Sequence, residues 1–122
     1  MVEDTRGIRM RLWADPEKKI PLDKISFGKV PVGKEKVLTI YIENDSKAVL
    51  TNLIYEFAHL PPTEVLKVTG PVTLQPGEIA PLTLVWRPSP VFKQALVVDL
   101  LIKGEEVYLA EEKIPVEKKE KT

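Results

Sequence analysis

His59 is the only histidine in the chain, and cysteine is absent. Thiol nucleophiles, Cys-based zinc sites and iron–sulfur clusters are thereby excluded, and His-rich metal sites are disfavoured. Acid–base work by His59 needs a carboxylate within hydrogen-bond reach, and Glu56 and Glu64 are the candidates near it in sequence. Leu60-Pro61-Pro62 beside it marks a loop, so the favoured reading is an exposed loop histidine. Glu105-Glu106 and Glu111-Glu112 are adjacent in sequence. Neighbours in a strand point to opposite faces, so neither pair makes a catalytic dyad. Asp99 interrupts the most apolar stretch; alternation places it on a solvent face between Val97 and Leu101 rather than as a buried acid with a raised pKa. Asn44-Asp45-Ser46 supplies too few oxygens for calcium and reads as a turn. Gly28 and Gly33 precede no helix, so no phosphate-binding loop forms, and no G-x-S-x-G nucleophile motif occurs. These residues yield no catalytic, metal or cofactor site.

Residue types that suit protein contacts are better placed. Three of the four arginines, Arg6, Arg9 and Arg11, fall within the first eleven residues. In an alternating strand Arg9, Arg11 and Trp13 share one face, and Arg and Trp are enriched where interfaces are tightest. They are candidate partner-binding residues on an N-terminal arm that docks by strand addition. The competing reading is an ordinary first strand with a solvated charged face. Phe92 follows the stiff run Pro88-Ser89-Pro90-Val91 and is a fourth partner-binding candidate, either projecting from the loop or packing over its end. Tyr41 and Tyr55 are further candidate surface aromatics.

The elements that must carry these residues show a period of two. Ile8, Met10 and Leu12 alternate with Arg9, Arg11 and Trp13, which predicts a strand over Ile8 to Ala14. Further strands are predicted over 24–30, 36–43, 53–58, 65–69, 79–87 and 93–103, with turn residues between them. Pro81 argues for an edge position or a late start in its strand. Pro76-Gly77 carries the type II turn signature. Lys103-Gly104 reads as a hairpin turn, with Glu106 to Ala110 returning as the partner strand and a further extended piece through Ile114-Pro115-Val116. No 3.6-residue repeat spans three turns. The expectation is one all-β, immunoglobulin-like antiparallel sandwich of seven to eight strands. Residues 1–22 form an N-terminal arm or first strand, 23–116 the sandwich, and 117–122 a charged tail.

Composition narrows the partners. Eighteen Lys and Arg balance eighteen Asp and Glu, so bulk charge gives no case for nucleic acid. No apolar run reaches 18 residues and no apolar leader follows Met1, so membrane insertion and a signal peptide are not expected, and a cytoplasmic location is the default. There are 11 prolines, against about 6 at average usage. Asn44, Asn52, Gln75 and Gln94 are the only side-chain amides. Few amides, much Lys and Glu, and proline in loops match heat-adapted composition.

The order of several motifs resembles a known family. Ile25-Ser26-Phe27-Gly28-Lys29-Val30-Pro31-Val32-Gly33 is similar to the opening of immunoglobulin-like domains of the ASH and major-sperm-protein type. Val37 to Asn44 looks like their next strand, which closes on Asn. Leu74-Gln75-Pro76-Gly77-Glu78 followed by Leu82 to Pro88 looks like their Pro-Gly hairpin region. The resemblance spans about residues 24 to 109, and the residues before 24 depart from it. It implies a seven-stranded sandwich used for adhesion, scaffolding or assembly, and it carries over no catalytic residue.

Together these features predict a non-catalytic structural or assembly subunit that binds a protein partner or larger assembly, homo-oligomers included. A thermophile virion component (decoration, tail or baseplate) is the sharpest form of that expectation. The alternative is a small-ligand or carbohydrate module in which Trp13, Tyr55 or Trp86 meets the ligand.

Overall fold

A computed structural model of the protein describes residues 6–8 and 10–108. Nine strands occur among them: β1 (Arg6–Gly7), β2 (Arg11–Trp13), β3 (Ile25–Gly28), β4 (Lys36–Glu43), β5 (Val49–Ala58), β6 (Leu66–Thr69), β7 (Thr73–Leu74), β8 (Ile79–Trp86) and β9 (Leu96–Val107). They form two antiparallel sheets. One has the order β1-β9-β5-β7, with β3 also paired to β9; the other has the order β2-β4-β8-β6. No helix is present to cross a membrane among the described residues.

The period-two pattern explains how the sheets pack. Ile40, Ile42, Leu82, Leu84 and Trp86 line the inner face of the four-stranded sheet. Ile25, Leu50, Leu74, Leu96, Val98 and Ile102 line the inner face of the other, and all of these residues join one core. The alternate positions face outward, so each sheet has one apolar side and one mixed side.

Asn44 ties the layers together. It ends β4 with no exposed surface. Its Nδ2 donates to the carbonyls of Ala48, Leu74 and Gln75 at 2.9–3.1 Å. Its Oδ1 accepts from the Ser46 backbone N–H and the Ser46 hydroxyl. Its own backbone accepts from Gly77 N–H at 2.7 Å and donates to Glu78 O at 2.9 Å. One side chain thus joins the end of β4 to β7 in the opposite sheet and to the Pro76-Gly77 turn. That turn is closed by Glu78 N–H on Gln75 O, with Gly77 at φ 79°.

Three expectations are corrected. Lys103-Gly104 is not a hairpin turn: β9 runs through it, and Glu106 and Val107 continue the same strand against β5. Opposite Gly104, β5 inserts an extra residue between Thr51 and Ile54, where Asn52 adopts φ 54°. A Cβ on residue 104 would lie 2.8 Å from the Thr51 carbonyl oxygen, so this glycine serves close approach to a bulge. Pro81 does not mark an edge strand, since β8 pairs with β4 on one side and β6 on the other. The β6 ladder stops at Thr69↔Thr83, so the proline sits where that side has no strand partner. Finally, the segment from Ile8 to Ala14 is not one strand. β1 pairs with β9 and β2 with β4, so the chain changes sheets between them. The extended piece at Ile114 to Val116 and the tail lie outside the described residues.

Replacing Asn44 by Ala would orphan buried carbonyls and is expected to cost about 3 kcal/mol or more. The exposed Lys67→Ala should stay within about 0.5 kcal/mol. Urea unfolding of the two variants beside the parent chain measures both. Gly104→Ala should also destabilise, by about 1–3 kcal/mol, through the forced contact with Thr51.

Candidate docking surfaces

Strand β2 lies along β4, with Arg11↔Glu43, Leu12↔Ile42 and Trp13↔Tyr41 in register. Leu12 faces the core beside buried Ile42, so Arg11 and Trp13 stand on the outer face, as alternation predicts. Arg9 lies outside the described residues. The Arg11 Nε is 2.8 Å from Asp45 Oδ2. The Trp13 indole N–H donates to Glu43 Oε1 at 3.0 Å, and Lys18 reaches Glu43 Oε2 at 3.0 Å. The Lys18 hydrogen bond, helped by Trp13, holds the Glu43 carboxyl below its usual range against a smaller opposing effect of burial. Both described N-terminal candidates are therefore braced on their own sandwich. Asp15 folds the following loop back by accepting from the Lys19 and Ile20 backbone N–H groups.

Sheet register extends this patch. Tyr41 stands opposite Trp13 on one side and Pro81 on the other. The next outward row is Thr39, Thr83 and Thr69 across β4, β8 and β6. Beyond it lie Val37, Val85 and Lys67. Trp13 and Tyr41 are half-buried, while Pro81, Thr39 and Val37 are exposed. Sequence reasoning found Trp13 and Tyr41 separately. It missed their adjacency and the threonine row, because register between distant strands is not written in either strand.

Phe92 does not project. Its ring meets Trp86 edge-on at 5.8 Å, and Trp86 meets Phe27 at 5.7 Å, so the three aromatics cap one end of the sandwich. Phe92 remains half-buried and forms one wall of a groove with Val30, Pro31 and Val32. Trp86 is wholly buried and offers no face to a ligand, which removes it from the carbohydrate alternative. Tyr55 is half-buried; its hydroxyl donates to Pro71 O at 2.6 Å, and burial pushes its pKa up to about 12.

His59 is exposed, as expected, and pairs with neither Glu56 nor Glu64. Its Nδ1 lies 3.0 Å from Asp99 Oδ2 on the outer face of the five-stranded sheet. Asp99 also accepts from Lys24 at 3.2 Å, and that bond, followed by His59, holds its carboxyl below the ordinary range against partial desolvation. Glu56 pairs instead with Lys103 at 3.0 Å.

Glu64, which the sequence offered only as a possible partner for His59, is a buried acid, only 4% exposed. It accepts from the Trp86 indole, the Ser89 backbone N–H, the Ser89 hydroxyl and the Thr63 hydroxyl, at 2.6–3.1 Å. Burial raises its pKa, but those donors outweigh burial and bring it down to about 2. All four donors are neutral, and the carboxylate clamps the loop after β5 to the loop after β8. This is a structural role. Among the described residues, no group of three or more His, Asp or Glu side chains is placed to hold a metal ion.

No family model matches the chain, and comparisons with curated proteins and with solved structures likewise find no match.

The Glu64 clamp has a pH signature. A carboxyl whose folded pKa is depressed stabilises fully above its unfolded pKa, near 4.5, and that stability is lost as pH falls toward 2. Glu64→Gln should cost about 2 kcal/mol at pH 7. The difference from the parent chain should shrink steadily between about pH 5 and pH 2, as read by chemical denaturation across that range.

Proposed function

We propose that this chain is a non-catalytic assembly module, an immunoglobulin-like sandwich of the ASH or major-sperm-protein type, that docks a protein partner through the outer face of its four-stranded sheet. The in-register row Trp13–Tyr41–Pro81, with Arg11 beside it, carries this reading. Trp, Tyr and Arg are the residue types most enriched at energetic centres of interfaces. Here they lie on a rigid sheet rather than a mobile loop, so docking would order few side chains. Arg9, outside the described residues, remains a partner-binding candidate in this reading, and Phe92 serves a separate end of the molecule. The proline-rich, amide-poor composition fits an exposed building block of a heat-adapted particle, such as a virion decoration, tail or baseplate component.

A photoreactive residue at position 83, in the middle of this face, should cross-link one protein species. Trp13→Ala combined with Tyr41→Ala should weaken that association by about a hundredfold while leaving the β-sheet circular dichroism unchanged. A chain that stays monomeric at every concentration and yields no cross-link would sink the reading.

The threonine row favours one second reading. Hydroxyls of Thr39, Thr83 and Thr69 beside the aromatic pair suit a carbohydrate, whose rings stack on aromatics and whose hydroxyls need polar partners. Soluble oligosaccharides should then quench the Trp13 fluorescence, a response that Trp13→Phe removes. Absence of quenching leaves the protein-docking reading alone.

A further inference from the structure

Charge that balances over the whole chain is unevenly placed on the folded molecule. The loop between β3 and β4 and the loop between β8 and β9 meet at one end of the sandwich, joined by Arg87 and Glu35 at 3.0 Å. Around them Lys29, Lys34, Lys36 and Lys93 are exposed, and none has a carboxylate partner among the described residues. Elsewhere Lys18, Lys24 and Lys103 are each paired. Of the seven lysines without a carboxylate partner among the described residues, four therefore gather at one end, where Glu35 is paired and Glu64 is buried; Lys19, Lys47 and Lys67 are the other three.

Between the lysines lies an apolar groove of about 290 Å³, walled by Val30, Pro31, Val32 and Phe92, with Lys29 and Lys93 at its rim. Its walls are stiff. Pro31 and Gly33 set a turn closed by Lys34 N–H on Pro31 O, with Gly33 at φ 88°. Phe92 is held against Trp86. Val32 is half exposed inside a preformed concavity, an arrangement that favours a ligand over bulk water. The lining is mostly apolar, so a peptide backbone laid against it would find few partners for its amides on that side. A hydrocarbon chain has none to satisfy.

We propose that this groove is a binding site for a free single-chain amphipathic carboxylate of the fatty-acid class. The alkyl chain lies against Val30, Pro31, Val32 and Phe92, and the headgroup meets Lys29 and Lys93, with Lys34 and Lys36 adding field. The site is separate from the four-stranded face and stands or falls without the docking reading above.

Isothermal titration calorimetry with sodium hexanoate, octanoate, decanoate and dodecanoate, each below its micelle concentration, tests this on the full chain. Affinity should rise about fourfold per added methylene until the groove is filled. An alkyltrimethylammonium of equal chain length should bind at least tenfold more weakly. Lys29→Glu with Lys93→Glu should weaken decanoate about tenfold, and Val32→Asp should remove the chain-length dependence while circular dichroism stays unchanged. Methyl resonances of Val30 and Val32 should shift on titration. Equal binding of the cationic analogue overturns the proposal, as does a flat chain-length series or shifts confined to other residues. Binding only to anionic vesicles, or tighter binding of an acidic peptide than of dodecanoate, also overturns it.

Discussion

The buried amide of Asn44 is the constraint on which the arrangement of the two sheets depends. Hydrophobic burial brings the sheets together but is not directional, so it leaves their relative placement loose. Asn44 removes that freedom, because its donors reach Ala48, Leu74 and Gln75 together in one geometry. Its oxygen is meanwhile satisfied by Ser46. A buried polar group with every partner in place specifies a structure, whereas the same group half satisfied would oppose it. The Pro76-Gly77 turn and the short β7 are held in place by this residue, and β7 in turn covers the free side of β5.

Glu64 does for the opposite end what Asn44 does for its own. Its carboxylate collects donors from Thr63, Ser89 and Trp86, and Trp86 in turn carries Phe27 and Phe92. The long loops after β5 and β8 are thereby made rigid without regular structure. That rigidity is what preserves the groove beside Phe92 as a preformed cleft. Polar anchors at both ends, with an uninterrupted apolar core between them, leave the outer faces free for contacts.

Those outer faces differ. On the five-stranded sheet, charges neutralise one another, as Lys24 does with Asp99 and Lys103 does with Glu56. The four-stranded sheet carries the Arg11–Asp45 and Lys18–Glu43 pairs and, beside them, ordered rows: aromatic and proline, then threonine, then valine with Lys67. Its edge strands are short, three residues in β2 and four in β6, which limits unspecific pairing along the edges. Recognition would then depend on the side chains of the face more than on backbone edges.

Much of the fold was legible locally. Alternation in Val37 to Glu43 and in Ile79 to Trp86 marks strands and assigns inner and outer residues, because a strand's two faces depend only on parity. The Pro76-Gly77 turn is legible for a similar reason: fixed φ followed by permitted positive φ is a property of two adjacent residues. Gly104 misled because glycine serves turns and close approaches alike, and only the bulge in β5 shows which is meant. Pro81 misled because its tolerance depends on where β6 stops. Glu64, hidden among loop signals, is buried only because Trp86 and Ser89 arrive from another part of the chain. Arg11, Trp13, Tyr41 and Phe92 were visible as residue types, but their neighbours were not. What the sequence alone determined is therefore what a residue and its immediate neighbours dictate: strand, face, turn, and the lack of thiol chemistry. Register, polar anchoring and the clustering of unpaired lysines around a groove were decided by tertiary structure, since each is a relation between segments that only packing brings together.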